Sequence, residues 1–212
     1  MVVRPGSFAV LLPVKSPGSG KSRLSALPDA DRRRLAAAFA TDAVSVCTTT
    51  PGVALVVVVS DDEAFAASLA GEGVATCADP GAGLNAALRH GAAFAHDLAP
   101  GLQPVALLAD VPALTAADLA EALDHARAAG RPCFVTDADG TGTTLYTASY
   151  DAFDPRFGAG SADAHRASGA LPLTGSLATL RRDVDDLAAL ADAVTLGVGA
   201  ATAAALPATL RA

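Results

Sequence analysis

The sequence is poor in cysteine and has no tryptophan. Its three cysteines, Cys47, Cys77 and Cys133, lie far apart and are odd in number. Such spacing fits neither a zinc site nor a disulfide framework, which indicates a reduced protein. The first apolar stretch leads directly into residues 13–15, Pro-Val-Lys, without the small-residue cleavage site of a signal peptide. We therefore predict a soluble, cytoplasmic protein.

Basic residues and uninterrupted apolar runs are also scarce. The chain has 15 Lys and Arg residues against 22 Asp and Glu residues, a formal net charge of −7. Since a nucleic-acid-binding protein needs a basic face, this balance argues against nucleic acid as a partner. Asp, Gly or Pro interrupts the longest apolar runs before they reach the roughly 20 residues needed to span a bilayer. We expect no membrane association.

Apolar stretches alternate with amphipathic segments through the first part of the 212 residues, of which 51% are hydrophobic. Buried strands are predicted at residues 8–14, 53–59, 74–77 and 105–108. Helices are predicted between and after them, the first capped by Asp29 or Asp31 and the last capped by Thr115. This order predicts an α/β fold with a mostly parallel sheet covered on both faces. No repeat or linker divides the chain, so we predict a single domain, residues 1–212.

The pattern is less regular after residue 134. A strand, a Gly-rich turn and a second strand are predicted in residues 134–149, followed by a short helix that Ser161 would cap. Leu177–Arg182 is predicted to be a last strand. The segment from Asp183 to Ala193 is predicted to be helical.

The segment LLPVKSPGSGKSRL, Leu11 to Leu24, resembles a phosphate-binding P-loop but lacks its first glycine, whose place Lys15 occupies. A Gly-rich loop after a buried strand still offers backbone N–H groups to phosphate. The cations Lys15, Lys21 and Arg23 would add charge-assisted hydrogen bonds. The segment is therefore a candidate phosphate-binding loop. The alternative is a solvated connection that carries ordinary surface lysines.

Further polar residues are predicted at the carboxyl ends of the strands, where open α/β sheets bind their ligands. Asn85 can donate and accept hydrogen bonds, which suits a nucleobase or ribose, although it could equally serve the first turn of a helix. Asp110 follows a strand, and Thr115 is better placed than Asp110 to cap the next helix. Asp183 precedes a predicted helix. We predict that Asp110 and Asp183 hold Mg²⁺, with Asp185 as the substitute for Asp183.

Five motifs taken together resemble a known family, the guanylyltransferases of deazaflavin coenzyme (factor 420) biosynthesis. The family contains the 2-phospho-L-lactate and phosphoenolpyruvate guanylyltransferases and is related to the molybdenum-cofactor nucleotidyltransferases. The motifs are LLPVK-x5-KSRL, GLNAAL at 83–88, LLADVPAL at 107–114, GTGTTLY at 140–146 and FGAGSADAH at 157–165. One departure is the run from Asp183 to Leu187, which lacks the Thr-Pro-Glu often present in the family.

The resemblance implies a three-layer, Rossmann-like nucleotidyltransferase fold of the GT-A-like type. It also implies GTP and Mg²⁺ as reagents and a phosphorylated three-carbon acid as acceptor. From their own positions, in the phosphate-binding loop and after a strand, we predict catalytic roles for Lys21 and Asp110. Thr143, Gly158 and Ser161 are carried over as the acceptor pocket. Their chemistry agrees with this role, because two hydroxyls can bind an anion and a glycine permits close backbone approach.

The expected reaction joins GTP to phosphoenolpyruvate and releases pyrophosphate. Phosphoenolpyruvate is preferred because the Ala- and Arg-rich chain is similar to actinobacterial members, and 2-phospho-L-lactate is the first alternative. A nucleotidyltransferase of the same fold for another acceptor, or a non-catalytic nucleotide-binding module, also remains open. No nucleophilic side chain is needed, so the cysteines and His165 are expected to be non-catalytic. The next pathway enzyme, receiving the product by transient transfer, is a further candidate partner.

Overall fold

The computed structural model describes residues 7–16, 24, 27–207 and 210. In this part of the chain, seven strands form one sheet. The strands are β1 (Phe8–Val14), β2 (Val53–Ser60), β3 (Val74–Ala78), β4 (Gln103–Leu107), β5 (Cys133–Thr136), β6 (Thr143–Thr147) and β7 (Leu171–Pro172). The helices are α1 (Asp29–Thr49), α2 (Glu63–Leu69), α3 (Leu84–Leu98), α4 (Ala116–Ala129), α5 (Ser161–Ala167), α6 (Ala178–Arg181), α7 (Leu187–Leu196) and α8 (Ala200–Ala205).

The strand order across the sheet is β3-β2-β1-β4-β6-β5-β7. The first four strands along the chain run parallel to one another, and β5 and β7 pair in parallel. Strand β6 is antiparallel to both of its neighbours, β4 and β5. The predicted mostly parallel sheet is therefore confirmed. The carboxyl ends of β1, β2, β3 and β4 meet at one edge of the sheet.

Strand β1 shows why the sheet is covered on both faces. Successive side chains of a strand point to opposite faces, and here both sets are buried. Phe8, Val10 and Leu12 belong to a cluster that includes side chains of α1, α2 and α4. Ala9 and Leu11 belong to a second cluster that includes side chains of α3 and α5. The continuous apolar run is thus the signature of the central layer between two helical layers.

Helix α3 lies unusually close to the sheet at Gly91. A Cβ at this position would lie 2.7 Å from Cγ2 of Val59 and 3.7 Å from Cδ2 of Leu11. The missing side chain therefore permits the close approach that brings the amino end of α3 to the edge where the parallel strands end.

A third apolar cluster connects α1 with the end of the chain, and it includes Leu35, Phe39 and Val184. Asp42, which is buried in α1, stabilises this connection. Its two carboxylate oxygens accept from the backbone N–H groups of Ala201, at 3.0 Å, and Thr202, at 2.8 Å. A carboxylate from another helix therefore caps α8.

The prediction of a strand at Leu177–Arg182 was wrong, because Ala178–Arg181 forms helix α6. Leu177 and Leu180, three residues apart, are both fully buried, which is the spacing of one helical turn. The guanidinium of Arg181 donates to the backbone carbonyls of Thr136, at 3.2 Å, and Leu173, at 3.0 Å. These distant contacts hold the turn in place. The short strand β7 was not predicted.

Three predicted helix starts were also wrong. Helix α1 begins directly at Asp29, after Pro28, so Asp29 and Asp31 lie in its first turn and do not cap it. Gly160, with φ of 68°, precedes α5, and Ser161 is the first residue of that helix. Helix α7 begins at Leu187, capped by the side chain of Asp186, so Asp183 lies in the preceding loop. The helix predicted to follow Thr115 does begin there, at Ala116. Among the described residues no helix is both long and apolar enough to cross a membrane.

Candidate active site

A cavity of about 570 Å³ opens at the edge where the parallel strands end. Its lining includes Lys15 after β1, Asp61 after β2, Asp79 after β3 and Asp110 after β4. Binding pockets for small molecules commonly measure about 300–1,000 Å³, so this cavity has room for a nucleotide. Its position is the one expected for a ligand of an open α/β sheet.

The candidate phosphate-binding loop begins at one wall of this cavity. Lys15 is exposed there. The backbone N–H of Ser16 donates to Oδ1 of Asp61 at 2.7 Å, which attaches the start of the loop to the end of β2. Lys21 and Arg23 lie outside the described residues, so their contacts with phosphate stay predictions.

Asp61 and Asp79 line the cavity but were not predicted as site residues. Both directly follow strands, and that position was the available signal. From the sequence alone, an aspartate that follows a strand could equally serve a turn or cap a helix. The neighbouring Asp62 does cap a helix, because its side chain accepts from Phe65 N–H at the start of α2. Oδ1 of Asp79 accepts from Gly81 N–H at 2.8 Å, so Asp79 also shapes the turn that leads to α3.

The structure brings the segment containing Asp183 alongside Asp110. The backbone N–H of Val184 donates to the carbonyl of Asp110 at 2.9 Å. The pKa of Asp183 is raised from 3.8 to about 7, first by burial and then by the negative charges of Asp110, Asp185 and Asp137. These carboxylates therefore create a local negative potential at the end of β4.

This donor set fits a magnesium ion that is shared with substrate phosphate. Within the described part of the chain, no group of three or more His, Cys, Asp or Glu side chains forms a cage for a metal. Mg²⁺ rarely requires one, because it is usually held by one or two carboxylates together with phosphate oxygens and water. A cation between Asp110 and Asp183 would relieve the repulsion that raises the pKa of Asp183.

Asp137 shapes the turn that precedes β6. Its carboxylate accepts from the backbone N–H groups of Thr141, at 3.0 Å, and Gly142, at 2.7 Å. A Cβ at position 142 would overlap this carboxylate, which explains the glycine. The turn places Thr143 at the start of β6, where its side chain is buried and its Oγ1 lies 3.0 Å from Nδ1 of His165.

The residues predicted to form the acceptor pocket belong to segments that are hydrogen-bonded to one another. Ser161 N–H donates to the carbonyl of Gly158, and Ala162 N–H donates to the carbonyl of Thr141, each at 3.1 Å. The second bond ties the start of α5 to the turn before Thr143. Gly158 has φ of 140°, a conformation that favours glycine. Thr143, Gly158 and Ser161 are not among the residues that line the nucleotide-sized cavity.

Asn85 connects the two regions. It lies in the first turn of α3, beside the cavity-lining residues Gly83 and Leu84. Its Oδ1 accepts from Phe157 N–H at 2.8 Å, and its Nδ2 donates to the Phe157 carbonyl at 2.9 Å. A nucleotide contact by Asn85 stays a prediction. The contacts that are present hold the segment preceding Gly158.

The cysteines have environments that make poor nucleophiles. Burial raises the thiol pKa of Cys47 to about 12 and that of Cys77 to about 11, and it also raises the pKa of Cys133. Since the thiolate is the reactive form, these shifts agree with the expectation that the cysteines are non-catalytic.

Comparison with known proteins identifies close relatives. The family model described as "Guanylyl transferase CofC like" matches residues 8–168. A phosphoenolpyruvate guanylyltransferase of Salinispora arenicola is 48% identical over 201 residues, covering 92% of each chain. Proteins of the same name from Geodermatophilus obscurus and Streptomyces coelicolor are 44% and 45% identical, and the alignments cover 93–94% of this chain and 94% of each relative.

Solved structures confirm the predicted fold. A Desulfovibrio desulfuricans protein assigned to the nucleotide-diphospho-sugar transferases superposes with a TM-score of 0.68 at 21% identity, covering 89% of this chain and 86% of that chain. A 4-diphosphocytidyl-2C-methyl-D-erythritol synthase gives 0.56 at 17% identity, with coverage of 90% and 98%. A Mycobacterium tuberculosis protein in complex with manganese gives 0.52 at 20% identity, with coverage of 89% and 99%. These likenesses concern the fold alone.

Proposed function

The chain belongs to the CofC-like guanylyl transferases, and on that premise we propose that it joins GTP to phosphoenolpyruvate, giving enolpyruvyl-diphospho-guanosine and pyrophosphate. The observation that carries the proposal is the pair of adjacent regions connected by Asn85. One is a nucleotide-sized cavity at the strand ends, and the other is a compact group of hydroxyl and glycine residues suited to a small anion. The relatives' names support the choice of acid.

The reaction requires positioning more than covalent participation by the protein. A phosphate oxygen of the acid attacks the α-phosphorus of GTP in line, forming a new phosphorus–oxygen bond. The bond from the α-phosphorus to the oxygen that bridges to the β-phosphate breaks, and pyrophosphate leaves. Two anions must approach each other in this step, so Lys15, Lys21 and Arg23 would stabilise the charge and hold the triphosphate.

We propose Mg²⁺ as the metal, held by Asp110 and Asp183. A bound Mg²⁺ would neutralise part of the triphosphate charge and so favour attack by an anion. Asp110 and Asp183 contribute the carboxylate oxygens, and Val184 N–H, bound to the Asp110 carbonyl, keeps their two segments adjacent. Support comes from the clustered carboxylates and the raised pKa of Asp183.

The acceptor acid would lie against Thr143, Gly158 and Ser161. The hydroxyls of Thr143 and Ser161 can donate to its carboxylate or phosphate, and the backbone at Gly158 can approach it without a Cβ in the way. We place this reaction in the cytoplasm as part of the same proposal. The product could pass directly to the next enzyme of deazaflavin coenzyme synthesis.

The test is to incubate the protein with each nucleoside triphosphate, Mg²⁺ and a panel of phospho-acids while measuring pyrophosphate release. We expect release with GTP and phosphoenolpyruvate. In a second assay, equal phosphoenolpyruvate and 2-phospho-L-lactate compete for limiting GTP, and mass spectrometry resolves the products. A predominant lactyl product would identify 2-phospho-L-lactate as the acceptor. Pyrophosphate release only with CTP, or only with another acceptor, would indicate a different nucleotidyltransferase. Nucleotide binding without pyrophosphate release would indicate a non-catalytic binding module.

A further inference from the structure

His165 is a fully buried polar side chain at the centre of the proposed acceptor region. Its Nε2 accepts a hydrogen bond from the backbone N–H of Arg156 at 2.9 Å, and its Nδ1 lies 3.0 Å from Oγ1 of Thr143. The imidazole stacks on Tyr146, with ring centroids 4.6 Å apart and planes 17° apart. The ring of Phe157 contacts it edge-on. The imidazole therefore has a fixed position and orientation.

The hydrogen bond from Arg156 determines which ring nitrogen carries the proton. A backbone N–H can only donate, so Nε2 must present its lone pair. Burial lowers the pKa of His165 to about 4, although a hydrogen bond with the Ser161 backbone acts in the opposite direction, so the ring is neutral at neutral pH. The single ring proton is then on Nδ1. Because a protonated Nδ1 has no lone pair, Thr143 Oγ1 accepts from His165 and cannot donate to it.

We propose that His165 is a positioning residue for the acceptor acid: it fixes the Thr143 hydroxyl as a hydrogen-bond donor toward an anionic oxygen of that acid. An unconstrained threonine hydroxyl can either donate or accept, whereas an anion requires a donor. A hydroxyl that already accepts from Nδ1 is oriented before the acid arrives, which lowers the cost of binding and reaction. The inference rests on the proposed function, since it assigns a role within the acceptor pocket.

The same side chain also holds the backbone leading to Gly158. Arg156 N–H is bound by His165 from one side, and the neighbouring Phe157 backbone is bound by Asn85 from the other. A histidine that merely completes a polar core would make the same bonds. The experiment must therefore separate the effect on acceptor binding from the effect on folding.

The kinetic test compares His165→Phe, His165→Asn and Thr143→Val with the wild type. Phenylalanine keeps the aromatic packing but removes both ring nitrogens, so we expect the KM for phosphoenolpyruvate to rise about 10- to 100-fold, as for a lost hydrogen bond to a charged group. The KM for GTP should change less than about 2-fold. Asparagine can place its amide nitrogen near the position of Nδ1 and should restore much of the acceptor binding. His125→Asn, an exposed histidine on α4, is the matched control.

A double-mutant cycle tests whether His165 acts through Thr143. In the Thr143→Val background, His165→Phe should add less than about a 2-fold further increase in the KM for phosphoenolpyruvate, because the hydroxyl is already absent. Independent, multiplicative effects would overturn the inference. So would equal increases in the KM values for GTP and phosphoenolpyruvate.

A measurement on the wild-type protein covers the case in which His165→Phe fails to fold. Nitrogen-15 NMR of labelled histidine should show His165 protonated at Nδ1 and unprotonated at Nε2 between pH 6 and 8. A proton on Nε2 would overturn the inference without affecting the proposed function. Conversely, absence of pyrophosphate release by the wild-type protein with GTP and phosphoenolpyruvate would overturn the proposed function, and the inference with it.

Discussion

Asp183→Asn should stabilise the metal-free protein at pH 8 while it abolishes turnover. In the folded protein the pKa of Asp183 is raised from 3.8 to about 7, by burial first and then by neighbouring carboxylates. Between these two values the folded state binds more protons than the unfolded state. The contribution of Asp183 to the free energy of unfolding is therefore fully present below pH 3.8 and is lost as pH rises through about 7. Asparagine cannot ionise, so the variant avoids that loss.

The pKa change from 3.8 to about 7 sets the magnitude. It is about three pH units, which corresponds to an upper limit of about 4 kcal/mol at roughly 1.4 kcal/mol per unit. The carboxyl retains partial contact with water, which screens its charge, so we expect a gain of about 1–3 kcal/mol at pH 8. For a protein of this size that gain raises the Tm by roughly 2–10 °C. At pH 5 the carboxyl is largely protonated in the folded state, and the gain should be much smaller.

Thermal unfolding in chelator, at pH 5 and pH 8, measures the effect in the wild type, in Asp183→Asn and in Asp151→Asn. Asp151 is exposed and serves as the matched control, with no pH-dependent gain expected. Adding Mg²⁺ should raise the Tm of the wild type, as expected for a ligand that binds only the folded state. Mg²⁺ should not raise the Tm of Asp183→Asn or of Asp110→Asn, because each variant lacks one of the two proposed metal ligands.

Two results would refute this reasoning. An Asp183→Asn variant that is no more stable than the wild type at pH 8 would show that burial and the neighbouring carboxylates do not disfavour the ionised side chain. An unchanged Mg²⁺ response in either variant would remove that residue from the proposed metal site. Near-normal turnover of Asp183→Asn would leave Asp185 as the second carboxylate.

Three further substitutions test other parts of the structure. Lys21→Ala should lower kcat by about 100-fold or more with an unchanged Tm, since it removes stabilising charge from the transition state, and near-normal turnover would exclude Lys21 from the site. Asn85→Ala should raise the KM for phosphoenolpyruvate at least as much as the KM for GTP, because the Asn85 side chain holds the Phe157 backbone. An increase confined to the KM for GTP would favour a direct contact between Asn85 and the nucleotide. Asp42→Ala should lower stability by about 2–4 kcal/mol, measured by urea unfolding, through loss of two charge-assisted bonds to α8, whereas a loss below about 0.5 kcal/mol would contradict that capping role.

The first part of the fold could be predicted because its sequence signals are local and consistent. Strand β1 is a continuous apolar run, as expected for a strand buried on both faces, and its predicted bounds agree with the structure. The limits of strands β1 to β4 differ by at most two residues from the predictions, whereas the predicted cap of α1 was wrong. Thr115 caps α4 as predicted, with its hydroxyl accepting from Asp118 N–H.

The later part could not be predicted to the same extent because distant contacts determine it. The apolar pattern of Leu177–Arg182 permits either a strand or a helix. The contacts of Arg181 with Leu173 and Thr136, the second of them 45 residues away, favour the helical turn. The start of α7 depended on a choice among three nearby aspartates, Asp183, Asp185 and Asp186, and only the structure identifies Asp186 as the cap.

The candidate active site likewise has a part that could be predicted from the sequence and a part that could not. The position of Asp110 after a strand and that of Asp183 before a helix led to the prediction that they share a metal, and the structure places their segments adjacent, while the metal role stays a prediction. The contacts of Asn85 and His165 could not be inferred. Each depends on a backbone group of the irregular segment 156–157, whose path has no periodic signal in the sequence.

Several of the segments proposed to bind the two substrates are loops, and a few hydrogen bonds between distant segments set their relative positions. Ser16 is bound by Asp61, 45 residues away, and Phe157 is bound by Asn85, 72 residues away. The sheet beneath these loops is stabilised by extensive apolar burial, which does not depend on these contacts. Loss of one such bond should therefore displace a substrate-binding segment while the sheet stays folded. Because small displacements of reacting groups lower rates steeply, such substitutions should reduce turnover well before they reduce the Tm.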